Sequence, residues 1–164
     1  FLFINTGLSF NALGIAKPLN VSQTAVSKAL PRLKKEELII LEKDKQSGRW
    51  SIKLNRDNPK AIALKRAENL KMLYESGAIS FLEDTLPGAT IVLFGSYSRG
   101  DDTIKSDIDI AIIGRKEKEL DLMQFETMLE RKINLNFYHS FKEIHKNLKE
   151  NLCNGIVLVG GIEL

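Results

Sequence analysis

The chain has 164 residues, with 24 lysines and arginines against 21 aspartates and glutamates and a net charge of +3, which is enough for one ordinary domain or two small ones. Its single cysteine, Cys153, excludes an intramolecular disulfide and a cysteine zinc cluster. No apolar run approaches the roughly 18 residues of a membrane span and no signal-peptide pattern occurs, so a soluble cytoplasmic protein is expected.

The charge is unevenly spread. Residues 1–60 carry 11 basic against 5 acidic side chains, and the remainder carries 13 against 16. A basic half suits a polyanion, and a slightly acidic half can host cations, so two modules are expected. The chain opens Phe1-Leu2-Phe3-Ile4 without methionine, which suits the last turn of a helix that begins upstream.

Residues 10–17 place apolar side chains at helical spacing and end in Pro18-Leu19-Asn20-Val21, a turn. Ser22 then caps a second helix from Gln23, in which Val26, Leu30 and Leu33 fall at i, i+4 and i+7. Its other face displays Gln23, Thr24, Ser27, Lys28, Arg32, Lys34 and Lys35, residue types that read base edges and phosphates. Pro31 removes a backbone donor at a cost of about 3 kcal/mol in an ideal helix interior, so a kink or break is expected near Leu30. Residues 39–45 and 49–54 flank Gln46-Ser47-Gly48, and Trp50, Ile52 and Leu54 alternate as in a half-buried hairpin.

The polar turn Asn55-Arg56-Asp57-Asn58-Pro59 marks a boundary, giving domains of 1–58 and 59–164. Helices over 61–75, buried through Ile62, Leu70, Leu73 and Tyr74, and over 78–86 connect the two modules. The rest alternates strand 89–94, a short helix after Gly95, strand 107–113, a charged turn at 114–118, and a helix to about 130. Strand 132–138, helix 140–152 and strand 155–160 follow. Such alternation argues for an α+β domain, a small mixed sheet backed by helices.

Two features of this half carry chemistry. The apolar strand ending at Phe94 stops at Gly95-Ser96, where the backbone turns sharply and offers N–H groups to an anion. Asp107 and Asp109, at i and i+2 of the next strand, share one face by strand alternation and stand roughly 7 Å apart along the backbone. Two carboxylates on one face can converge on a divalent cation such as Mg²⁺ bound together with substrate phosphates. Tyr97 packs or lines this site, and His145 and Cys153 read as structural residues.

Gly95-Ser96, Arg99-Gly100 and Ser106-Asp107-Ile108-Asp109, in that order, resemble the DNA polymerase beta-like nucleotidyltransferase superfamily in its minimal branch. The resemblance implies transfer of a nucleoside monophosphate from an NTP, ATP first among them, to a hydroxyl acceptor. It implies nucleotide contacts from Gly95, Ser96, Arg99 and Ser106, and catalysis through two Mg²⁺ ions on Asp107 and Asp109. A third carboxylate is implied on the strand Lys132–Tyr138, where this chain has Asn134 and Asn136 on one face. A neutral amide there lowers metal affinity and removes a base worth typically 10²–10⁴-fold in rate.

The N-terminal order of helix, turn, helix and basic hairpin resembles the winged helix-turn-helix of DNA-binding regulators, which implies DNA contacts from Gln23, Thr24, Ser27, Lys28, Arg32, Lys45 and Arg49. Dimerisation is expected by the same analogy. Minimal-branch relatives act beside a small helical toxin, so a partner of that kind is expected too. The alternative to an enzyme is a DNA-binding regulator or antitoxin-like protein whose nucleotidyltransferase module binds nucleotide or partner and turns over weakly.

Overall fold

A computed structural model describes residues 1–43 and 48–162. The chain divides into two compact units, Phe1–Lys65 and Arg66–Leu164. Among the described residues no helix is long and apolar enough to cross a membrane.

The first unit contains α1 (Ala12–Ala16), α2 (Gln23–Lys35) and the antiparallel pair β1 (Ile39–Lys43) and β2 (Trp50–Leu54). Asn11 and Ser22 cap the two helices, each side chain accepting a backbone N–H three residues on, from Gly14 and Ala25. An isolated bridge from Phe10 to Ile52 adds a third backbone segment to the hairpin. Ile15, Ala16, Val26, Ile39 and the fully buried Ile52 form the core, with Leu30 and Leu33 packed against it.

The break expected at Pro31 does not occur: α2 runs as one helix through it to Lys35. Val26 holds the helix to the core before the proline and Leu33 after it, while Pro31 itself is exposed, so its ring meets solvent and the Ser27 carbonyl it leaves unpartnered in the helix can bond water. Packing outweighs the local penalty.

The helix α3 (Pro59–Glu75) begins in the first unit and continues into the second, which adds α4 (Ala78–Thr85), β3 (Thr90–Phe94), α5 (Gly95–Arg99) and β4 (Ile108–Ile113). Then come α6 (Met123–Leu129), β5 (Ile133–Tyr138), α7 (Lys146–Cys153) and β6 (Ile156–Val159). A short 3₁₀ turn at Phe141–Glu143 precedes α7 where one helix over 140–152 was expected; Ile144 and His145 are extended and separate the two. Tyr74 is 49% exposed rather than buried, its hydroxyl donating to the Leu158 carbonyl.

The strands form one mixed sheet in the order β5-β4-β3-β6, with β4 and β5 parallel and the other neighbours antiparallel. Because side chains alternate, the β-branched runs of β3 and β4 bury both faces. Ile91, Leu93, Ile108, Ile110 and Ile112 pack under Leu73, Ile79, Leu82, Phe125 and Leu129. Val92, Ala111 and Ile113 pack on the other side under Phe141, Ile144 and Leu152. Asp109 belongs by parity to this second face, at the opposite end of β4 from Ile113.

Replacing Pro31 by alanine restores the missing donor on an exposed helix surface. Urea unfolding followed by the only tryptophan, Trp50, should show the first unit stabilised by about 1–3 kcal/mol in Pro31→Ala.

Candidate active site

The site is built where β3 ends and β4 begins. Phe94 pairs with Asp109 across the antiparallel ladder, and Asp109 pairs with Asn134 across the parallel one, so three adjacent strands deliver their side chains to one spot. Asp107 immediately precedes β4 and is exposed; Asp109 is half-buried.

One amide joins them. The Asn134 Nδ2 donates to Asp107 Oδ2 at 3.2 Å and to Asp109 Oδ1 at 3.3 Å. Asn136, on the same face, turns its Nδ2 back to the Asn134 carbonyl at 3.5 Å, so Asn134 is the asparagine that reaches the carboxylates.

Gly95 opens α5 at φ +76°, a conformation only glycine adopts without strain, and a Cβ there would lie 2.7 Å from Asp109 Oδ2. The Gly-Ser turn therefore lies directly against the second carboxylate, and no side chain fits between them. Ser96 is half-buried, and its carbonyl accepts from the N–H groups of Gly100 and Asp101.

The remaining sequence-derived nucleotide residues are engaged locally. Exposed Arg99 pairs with Asp101 at 3.2 Å. Ser106 Oγ accepts from the Thr103 N–H at 3.0 Å and closes the turn that leads into Asp107. Two other acidic side chains in this half have structural partners: Asp121 accepts from the Met123 N–H, and Glu126 accepts from the Ile133 N–H at 2.9 Å. His139 lines a cavity of about 470 Å³ with Thr90, Ile113 and Ser140, at the far end of the sheet from Asp107.

In the first unit, Gln23, Thr24, Ser27, Lys28 and Arg32 lie exposed along α2, with Arg32 paired to Glu36 at 3.3 Å, and Arg49 is exposed before β2. Lys45 lies outside the described residues.

Asn69 is a site-associated residue that the sequence reading passed over. It is 4% exposed on α3, and its Nδ2 donates to the Tyr97 carbonyl at 3.0 Å and to Asp102 Oδ1 at 2.7 Å. A signal was present: Asn69 falls four residues before Leu73 and seven after Ile62, on the apolar stripe, where an amide requires partners. Tyr97 returns a bond from its hydroxyl to the Asn69 carbonyl at 3.3 Å. Burial pushes the Tyr97 hydroxyl well above its ordinary pKa, and the neighbouring Asp102 carboxylate adds to the effect, so the hydroxyl stays a donor.

Among the described residues no three His, Cys, Asp or Glu side chains group to hold a metal. The donors at this site are two carboxylates and one amide, whose Oδ1 takes the place of Nδ2 after a half-turn of its terminal torsion. That all-oxygen set fits a hard divalent cation, with two negative charges rather than three.

A family model described as the nucleotidyltransferase domain matches residues 76–159, the segment that contains every element of this site except α3. The chain belongs to that family. Nucleotidyltransferase domains generally use nucleoside triphosphates and divalent metal. No curated protein matches the chain.

Because Tyr97 ionises less readily folded than unfolded, its stabilising contribution is complete below its ordinary value of 10.0 and is lost as pH rises through the folded value. The fall in Tm between roughly pH 9 and pH 11 should accordingly be shallower in Tyr97→Phe than in the wild type, by calorimetry on both.

Proposed function

We propose that the chain moves a nucleoside monophosphate from an NTP, ATP first among them, to a hydroxyl acceptor, and that its basic first unit docks on DNA as a winged helix-turn-helix. The observation that carries the first part is the pair of carboxylates within reach of one side chain, the second of them against a positive-φ Gly-Ser turn.

In this reading Asp107 and Asp109 supply oxygen ligands, and Asn134 supplies its Oδ1 once its amide turns. Bound Mg²⁺ would neutralise charge developing on the phosphates as the acceptor oxygen bonds to the α-phosphorus and pyrophosphate leaves. The turn at Gly95-Ser96 lets backbone approach the phosphates closely, and Arg99 can exchange Asp101 for a phosphate as its partner. The acceptor's proton passes to solvent, since the side chain standing opposite both aspartates is an amide and not a carboxylate.

A second reading, a DNA-bound regulator or antitoxin-like protein with weak turnover, is favoured by that same amide. Both readings accommodate a small helical toxin-like partner and a homodimer, by analogy. Cytoplasmic residence fits either.

The first test incubates the purified protein, Mg²⁺ and α-phosphate-labelled NTPs with a lysate of its source cells. Label on a macromolecule should appear with the wild type and vanish with Asp107→Asn/Asp109→Asn, and Asn134→Asp should raise the rate by about 10²-fold. Bound nucleotide without label would transfer the assignment to the regulator.

For the first unit, Lys28→Ala/Arg32→Ala/Arg49→Ala should weaken DNA binding and reduce the slope of log K against log salt by about 3. An unchanged slope in a salt titration would remove the DNA-binding assignment.

A further inference from the structure

A five-residue helix leaves most of its carbonyls without intrahelical partners, and α5 is such a helix. The Ser96 carbonyl accepts from Gly100 and Asp101, and the Gly95 carbonyl accepts from Ser98 Oγ at 2.8 Å. For the Tyr97 carbonyl, a partner comes from another helix: Asn69 Nδ2. The second proton of that Nδ2 goes to Asp102, which begins the loop that leads through Ser106 to Asp107.

We infer that Asn69 is a positioning residue, whose amide fastens the Gly95-Ser96 turn and the loop carrying Asp107 to one buried anchor and so sets the spacing between phosphate cradle and carboxylates. The inference rests on the nucleotidyl-transfer reading for its functional consequence, though not for its geometry. Both N–H groups of the amide are used, one on each limb of the segment 95–109. Asn69 and Asp102 are nearly inaccessible, at 4% and 1%, so water does not readily replace a lost bond. Tyr97 lies in the same network, and its hydroxyl, donating to the Asn69 carbonyl, ties α5 to α3 a second time but makes no bond to the limb that carries Asp107.

That asymmetry provides the test. Asn69→Ala cuts two buried hydrogen bonds and Tyr97→Phe one, and only the first takes a donor from the α5 carbonyl and from Asp102. Binding of MgATP, MgGTP, MgCTP and MgUTP to the whole chain is measured by calorimetry, with hydrogen exchange of the peptide amides over residues 95–109. Asn69→Ala should bind the preferred nucleotide about tenfold more weakly and exchange faster over 95–109, whereas Tyr97→Phe, which leaves both amide bonds in place, should lower Tm with a smaller loss of affinity and no faster exchange over 102–109.

Equal loss of affinity in both variants, or wild-type affinity and exchange in Asn69→Ala, overturns the inference. Should the wild type bind none of the four nucleotides, the nucleotidyl-transfer reading is what fails. Exchange then decides alone, faster over 95–109 in Asn69→Ala supporting the anchor and unchanged exchange overturning it. If Asn69→Ala does not fold, Asn69→Ser keeps a single donor, and a smaller loss in the same direction supports the inference while none overturns it.

Discussion

Two carboxylates brought to one face of one strand repel each other, and the arrangement at this end of the sheet turns on how that repulsion is met. Asn134 Nδ2 lies 3.2 Å from one oxygen and 3.3 Å from the other, which holds the two oxygens within about 6.5 Å. Coulomb's law gives roughly 1–3 kcal/mol of repulsion at that separation in a partly solvated setting, toward the low end because Asp107 is exposed. Two hydrogen bonds to charged acceptors offset a repulsion of that size. The amide therefore accounts for the two carboxylates lying side by side.

The fold explains why the pair sits at a chain-accessible edge and not inside. Parity assigns Asp109, Ala111 and Ile113 to one face of β4. The elements around Phe141, Ile144 and Leu152 cover Ala111 and Ile113, and Asp109 remains only half-buried at the other end. The same strand is thus core at its C-terminal end and site at its N-terminal end, with Gly95 filling the remaining gap because nothing larger than a hydrogen fits. The opposite face, Ile108, Ile110 and Ile112, is fully buried and gives the carboxylates a rigid base. Each fully buried isoleucine contributes about 1.5–3 kcal/mol by burial alone, so the site is mounted on one of the most stable parts of this unit.

Much of this was legible in the sequence because it depends on short-range pattern. The period of two in residues 107–113 placed both aspartates on one face, and the Gly-Ser pair after an apolar run located the turn. The parts that were not legible depend on partners distant in the chain. Asn69 meets Tyr97 and Asp102 only after α3 has docked, whereas the pairs Thr103–Ser106 and Arg99–Asp101 are local ones. The break expected near Leu30 fails for the converse reason, since a local penalty is met by core contacts on either side of it. Tyr74 was misplaced because its neighbours on α3 made an apolar stripe look wider than the face that is in fact covered.

Two asparagines therefore work on the segment 95–109 from opposite sides, and in each the amide's chemistry matters more than its volume. Asn69 uses two donors toward fixed acceptors in a buried setting, where the alternative is an unsatisfied carbonyl. Asn134 uses two donors toward exposed or half-buried carboxylates, where water is an alternative and where the amide can turn to present oxygen. An aspartate at 134 would put a third negative charge within reach of the other two, stable only with a cation present. The amide instead offsets the repulsion between the two carboxylates with its two donors, and as a neutral group it would offer a cation less than a carboxylate does.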